Sequence, residues 1–467
     1  MITHSNISKV FLKFLILFFL IIVTDQHQAL ALSIKDETEL GDKFYAAMTR
    51  QYDLMEDEFA KQYITDLGNY LTDSIETRPF PFNFYIIKDN NLNAFAGPGG
   101  HIFVYAGLIY AMGEIDELAA VLCHEVGHVT QRHLSERIEQ GKKIGLATMA
   151  GMLAGALIGG EAASTIALGS VAAGIQTQLS YSRDDERDAD QLSHEYMNMA
   201  GFDPSGMVGA LTKLQQGNWI GTDGIPPYLL THPGGAERMA NIESLLRTHP
   251  FETTGGNTDK FRQLFPLFKT VVRAKSLDPP EAERVFRLEL EKAPDSAMAH
   301  FGVGIALKER AYYEQAITHF LRALNELPAN VPVLRCLAET YQFMGQNPKA
   351  IEILEKALKE NPHDRASLYL VAVSYQNMEE YKEAGRVYER LVVMAPVKDE
   401  VFYNLGIVYG RQDKLGLAHY NFGIYSKRLK QRNEADFHFK KAEEFSKRNP
   451  GLIKKIKKEQ AESSRNQ

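Results

Sequence analysis

Cysteine is scarce in this chain. Its 467 residues contain two, Cys123 and Cys336. They stand about two hundred residues apart, one inside an apolar helical run and the other in what reads as a separate domain. That excludes a disulfide scaffold and predicts two buried thiols. Long low-complexity tracts are missing too, and 45% hydrophobic against 24% charged residues leaves ample apolar material to bury, which excludes disorder. There is no excess of positive charge: the net charge of -7 speaks against nucleic acid as the main partner. Within this acidic chain the stretch 426–467 is basic, with 13 Lys/Arg against six Asp/Glu, and reads as the solvated face of a terminal helix. The length is too great for one ordinary core, so two domains are expected.

Apolar runs long enough to cross a bilayer are also lacking. Lys9 and Lys13 precede the run from Phe14 to Val23, and Ala29-Leu30-Ala31 follows with small residues, so 1–31 reads as an export signal cleaved after Ala31. No cysteine follows the run, which excludes lipoprotein attachment. The mature chain is expected outside the cytosol. The stretch from Ile144 to Ile175 is apolar with one charge, Glu161, but Gly159-Gly160-Glu161 divides it into halves too short for a crossing. It reads as a mobile apolar flap beside the active site, with peripheral membrane contact as the alternative.

What is present in the second half is a repeat. Pro294, Pro328, Pro362 and Pro396 recur every 34 residues, the period of tetratricopeptide helix pairs. In the same register, small residues recur at Gly304, Ala338, Ala372 and Gly406 and at Ala316, Ala350, Ala384 and Ala418. Large ones recur at Phe320, Leu354, Tyr388 and Phe422. Ala282 and Phe286 keep the register upstream, so the array is expected to begin near residue 262. Ala435, Phe439 and Ala442 repeat it downstream as a terminal capping helix. The stretch 253–258, Thr-Thr-Gly-Gly-Asn-Thr, is the linker before it. An array of this kind presents a surface to a partner and carries no chemistry of its own.

The first half carries the chemistry. In "HEVGH", His124 and His128 are four residues apart, so on a helix they share a face and can hold one metal ion through two ring nitrogens. Glu125 between them can reach water at such an ion. The flanking Glu117 to Cys123 is helical and apolar, a setting in which two imidazoles and a carboxylate are costly unless ligated or paired. The extended metzincin pattern needs Gly at 131 and His at 134; Gln131 and Leu134 exclude it. His133 is expected behind the ligands or in helix packing. The third ligand is sought in "SRDDERDAD" (182–190), where Glu186 and Asp190 stand four apart on one helical face, a carboxylate ligand with a supporting carboxylate behind it. Asp184 and Asp188 read as solvated. Asp190 reads as orienting a ligand histidine. His232, in "THP", is expected either to fill a fourth metal position and hold the site latent, to stabilise an oxyanion, or to sit in a turn.

"NAFAGPGGHIFVYAGLI" (93–109), "HEVGH" (124–128), "ERDAD" (186–190), "MAGFDP" (199–204) and "THPGGAER" (231–238) resemble, in order, the motifs of the HtpX-like gluzincin metallopeptidases. The resemblance covers nearly the whole mature chain. It implies one Zn2+ per chain bound by His124, His128 and Glu186, Glu125 as general base, and Asp190 as a second acidic active-site residue. It also implies a substrate-binding edge strand at Ile102, Phe103, Val104 and Tyr105. The implied fold is α+β: a mostly helical gluzincin-type domain with a small sheet (32–252), then an all-α tetratricopeptide-repeat solenoid (262–460). With the export signal and the repeats, the motif order resembles the periplasmic members of the family that serve outer-membrane β-barrel assembly. That implies an endopeptidase acting on unfolded or misassembled outer-membrane proteins, with the array recruiting them or the assembly machinery. The alternative is a chaperone or adaptor in which proteolysis is secondary.

Overall fold

The computed structural model describes residues 32–140, 181–216, 226–251 and 257–465. The export signal, the 144–175 flap and most of the 253–258 linker lie outside the described residues. Two compact units are present. One comprises residues up to Met55 and Lys61–Phe265, the other Glu56–Ala60 and Pro266 onward.

In the first unit, α1 (Ile34–Gln51) starts at Ser33, whose hydroxyl accepts from the Asp36 N–H, and α2 (Glu58–Thr72) leads to the strands. The sheet contains β1 (Asn83–Ile87), β2 (Ala94–Ala96) and β3 (His101–Tyr105), in the order β1-β3-β2. β1 pairs parallel to β3, Phe84 opposite Ile102; β2 pairs antiparallel, Phe95 opposite Phe103. Gly99 and Gly100 make the turn between β2 and β3 with φ of 71° and 83°, a conformation that side-chain-bearing residues avoid. Phe44 of α1 meets Phe95 and Phe103 edge-on, at 6.3 and 5.9 Å between ring centres, so α1 closes one face of the sheet.

This topology corrects one expectation. Ile102 to Tyr105 form the central strand, not an edge: both rows of β3 backbone groups are consumed, by β1 on one side and β2 on the other. Ile102, Phe103 and Val104 are fully buried and Tyr105 nearly so. The outer side of β1 is met in part by Leu54, which bridges Ile87 antiparallel, with the Met55 N–H donating to Ile86 O at 2.8 Å, and β2 lies at the other edge of the sheet.

After α3 (Ala106–Ala111), α4 (Ile115–Thr130) runs through the centre of the unit with every residue from Ile115 to Val129 buried. A helix buried on all sides lies inside its domain, and the charged groups it carries there need partners or ligands. α5 (His133–Gln140) follows it. Next come α6 (Arg183–Ala200), α7 (Gly206–Gln216), α8 (Pro227–Thr231) and α9 (Gly235–Thr248). No described helix is long and apolar enough to cross a membrane. Cys123 and Cys336 are both free and buried, as expected, and burial pushes the Cys336 thiol up to about 11.

The second unit is helical. α10 (Asp259–Ser276) spans the division between the units, and α11 (Pro279–Lys292) completes the first pair. The pairs α12 (Ala297–Glu309) with α13 (Tyr313–Glu326), α14 (Val331–Phe343) with α15 (Asn347–Glu360), α16 (Arg365–Asn377) with α17 (Tyr381–Val392), and α18 (Asp399–Arg411) with α19 (Leu415–Arg428) follow. The periodic prolines fall between pairs, where no helical N–H is lost. The periodic small residues face the periodic large ones: a Cβ on Gly304 would stand 2.5 Å from the Phe320 ring, and one on Gly406 2.6 Å from Phe422. α20 (Arg432–Phe445) buries Ala435, Phe439 and Ala442 as expected, but it does not end the array. α21 (Pro450–Arg465) follows and buries Leu452 and Ile456 in the same cluster.

Candidate metal centre

Two helices bring the candidate ligands together, and a glycine sets their separation. His124 and His128 project from one face of α4. α6 begins at a capping box, in which the Ser182 hydroxyl accepts from the Asp185 N–H and the Asp185 carboxylate accepts from the Ser182 N–H. That start places Glu186 and Asp190 on the buried face, while Asp184 and Asp188 are exposed, as expected. A Cβ on Gly127 would meet the Cα and carbonyl oxygen of Ala189 at 3.2 Å. Gly127 therefore lets the helices cross at near-backbone contact, within reach of one short carboxylate side chain.

His124, His128, Glu186 and His232 converge, with one ligand-type atom of each within 4.8 Å of the others. His124 Nε2 lies 3.0 Å from His128 Nε2 and 3.3 Å from His232 Nδ1. Glu186 Oε1 lies 3.4 Å from His128 Nε2 and 2.9 Å from His232 Nδ1. A four-coordinate ion with bonds of about 2.0–2.1 Å has ligand atoms about 3.3–3.4 Å apart, so these separations fit a metal. Charge points the same way. Glu125, Glu186 and Asp190 are three buried carboxyl groups, and among the described residues the guanidinium buried with them is that of Arg238. A divalent cation would sit against the Glu186 and Asp190 carboxylates, which Arg238 alone offsets only in part.

The surroundings hold the ligands in orientation. Asp190 Oδ1 is 2.9 Å from His124 Nδ1, so that N–H donates to the carboxylate and Nε2 keeps its lone pair toward the centre. Arg238 donates from Nε and Nη2 to both Asp190 oxygens, at 2.8 and 2.7 Å, and its Nη1 lies 2.7 Å from Glu186 Oε2. His133 Nδ1 is 3.0 Å from His128 Nδ1, placing it behind that ligand as expected. Tyr181 stacks on His128 at 3.7 Å and Tyr228 on His232 at 4.3 Å.

Burial opposes every charge here, and the neighbours decide the outcome. It depresses His128 far below the usual imidazole range and holds His133 down. On His124, burial and Arg238 push down but contacts with Asp190 and Glu186 prevail, raising it to about 9. Against burial, His232 and Arg238 hold the Glu186 carboxyl well below the carboxylate range, and Arg238 does the same for Asp190. Neither Glu125 oxygen has a hydrogen-bond partner among the described residues; His232 Nε2 lies 3.6 Å from Oε1.

Sequence reasoning named His124, Glu125, His128, Glu186, Asp190 and His232, and the fold gathers all six. Ile102 to Tyr105 lie in the central strand instead. Arg238 and Tyr181 were not singled out. Arg238 ends the "THPGGAER" motif, which was a signal; Tyr181, just ahead of the Ser182 cap, had none.

Fold and site together define a metallopeptidase unit joined to a helical-repeat unit. The chain belongs to peptidase family M48, whose model matches residues 17–246. Residues 309–391 match the model of anaphase-promoting complex, cyclosome, subunit 3. The "Beta-barrel assembly-enhancing protease" of Yersinia pestis is 29% identical over 69% of this chain and 66% of its own length. The protein of that name in Escherichia coli K12 is 31% identical over 46% of this chain and 44% of its own length. "Metalloprotease LoiP" of E. coli K12 is 32% identical over 40% of this chain and 69% of its own length. The matches to the two assembly-enhancing proteases thus span about two thirds and under half of those relatives.

Proposed function

We propose that the chain is a zinc-dependent endopeptidase of the periplasm that hydrolyses peptide bonds in misfolded or stalled outer-membrane proteins. On this reading the repeat array recruits those substrates or the assembly machinery. The observation that supports the reading is the convergence of His124, His128 and Glu186 beside a Glu125 carboxyl buried without a hydrogen-bond partner among the described residues. Two imidazoles and one carboxylate on helical spacing suit zinc. When bound, zinc polarises the scissile carbonyl and acidifies water beside it.

The chain's own groups do the rest. Glu125 takes the proton of the attacking water and returns it to the leaving amine. Asp190 and Arg238 fix the ligand geometry. His232 holds the fourth ligand position and keeps the site latent until it withdraws. The periplasmic site of action and the substrate class rest on the N-terminal segment and on the names of the relatives.

The test is Glu125→Gln with a denatured β-barrel protein as substrate. Cleavage is lost while metal content, measured by elemental analysis, stays at one zinc per chain. Cleavage by Glu125→Gln at the wild-type rate overturns the reading. Complementation by Glu125→Gln in cells makes the chaperone role primary.

A further inference from the structure

Tyr181 is buried, 2% exposed, and its hydroxyl has no hydrogen-bond partner among the described residues. A phenol hydroxyl in that condition costs free energy and is ordinarily paired. Three features hold it in place. The ring stacks on His128 at 3.7 Å with 15° between planes, the main-chain N–H donates to Thr231 O at 3.0 Å, and Arg137 covers the ring at 5.3 Å. Of the charged groups around it, Glu125 bears on the hydroxyl most strongly, ahead of Glu186, Arg137 and Asp185. The His232 ring stands 5.1 Å from the Tyr181 ring. Among the described residues, Tyr181 OH, both Glu125 oxygens and His232 Nε2 are thus unpartnered polar atoms on side chains at the candidate metal centre, and of the three side chains only Tyr181 has no role in the proposed reaction.

We propose that Tyr181 is a further catalytic residue, whose hydroxyl donates a hydrogen bond to the oxygen of the scissile carbonyl as negative charge develops on it. This rests on the peptidase reading above. In that reaction the water oxygen bonds to the carbonyl carbon, and its proton passes through Glu125 to the amine nitrogen. The C–N bond then breaks and its electron pair stays on the amine. Tyr181 keeps its proton throughout. A donor fixed in advance by stacking, and spared the work of leaving another partner, is suited to charge that appears only in the transition state.

The test is Tyr181→Phe, which keeps the stacked ring and removes only the oxygen. Loss of a single such donor lowers kcat by about 100-fold or more. KM and zinc content stay unchanged, and thermal stability is unchanged or higher because an unpaired buried hydroxyl is gone. The opposite signs of the two effects separate catalysis from packing, since a structural hydroxyl would lower stability and activity together. A kcat within about threefold of the parent overturns the proposal, as does a fall in kcat matched by lost zinc or a lower Tm. Glu125→Gln run in parallel assigns the failure. If it is inactive while Tyr181→Phe is normal, only the tyrosine's role falls; if it cleaves normally, the site reading falls and this proposal with it.

Discussion

Replacing Asp190 with asparagine separates two roles for the buried acid, positioning a ligand and donating a proton. Asp190 accepts three contacts: Oδ1 from His124 Nδ1 at 2.9 Å and from Arg238 Nη2 at 2.7 Å, and Oδ2 from Arg238 Nε at 2.8 Å. Asparagine keeps the shape and an oxygen for two of these but turns an amide N–H₂ toward Arg238 Nε, donor against donor. One charge-assisted bond is lost inside the protein, and Arg238 retains Glu186 as its remaining carboxylate. Breaking a buried ion pair outright costs about 3–5 kcal/mol, and because half of this arrangement survives we expect about 2–3 kcal/mol of stability lost. Removal of a partner behind a metal-bound histidine weakens metal affinity by about 10–100-fold. The assay is zinc competition against a chelator, followed by cleavage at saturating zinc. A positioning role predicts weak binding with kcat restored by excess zinc to within about tenfold. A kcat that stays depressed by three orders of magnitude at full occupancy, with affinity unchanged, refutes the reasoning and makes Asp190 a proton donor.

Three further outcomes follow from the structure. His232→Ala opens the fourth position and raises the rate of cleavage of an unfolded substrate several-fold; a fall would assign His232 to oxyanion stabilisation instead. Gly304→Ala forces its Cβ to within 2.5 Å of the Phe320 ring and destabilises the second unit by about 1–3 kcal/mol in urea denaturation. Adding Phe320→Leu, which copies the Ala338 and Leu354 pair one repeat on, restores most of the loss, and failure of that rescue contradicts the packing account. His319, with His300 Nδ1 2.9 Å from its own Nδ1, is pushed down to about 4 by burial, His300, Arg287 and Arg322. A folded value below the unfolded one means stability fully present above about 6.5 and lost as pH falls toward 4. Amide protection in α12 and α13, corrected for intrinsic exchange, therefore drops across that window. In His319→Gln the drop is smaller, leaving the part that His300, itself held down by burial, contributes.

Spacing in the sequence was enough for features that a single helix or a single repeat decides. His124 and His128 share a face because they are four residues apart, and so do Glu186 and Asp190. The 34-residue register needs no tertiary information, because each repeat packs on its neighbour in the same way. Gly304 opposite Phe320 can therefore be read from periodicity alone.

Only the tertiary structure decided what depends on which segments meet. The order β1-β3-β2 made His101–Tyr105 central, because strand order depends on which chain returns to which side, and residue alternation does not encode it. The ion pairs of Arg238 with Asp190 and Glu186, and the stack of Tyr181 on His128, join residues roughly fifty apart in the chain. The closeness of α4 and α6 rests on Gly127, whose lack of a Cβ matters only once Ala189 lies against it. The sequence determined which side chains were available for the chemistry; burial in a shared interior decided which of them meet, since a carboxylate or hydroxyl becomes costly, and so functionally informative, only where water and partners are excluded.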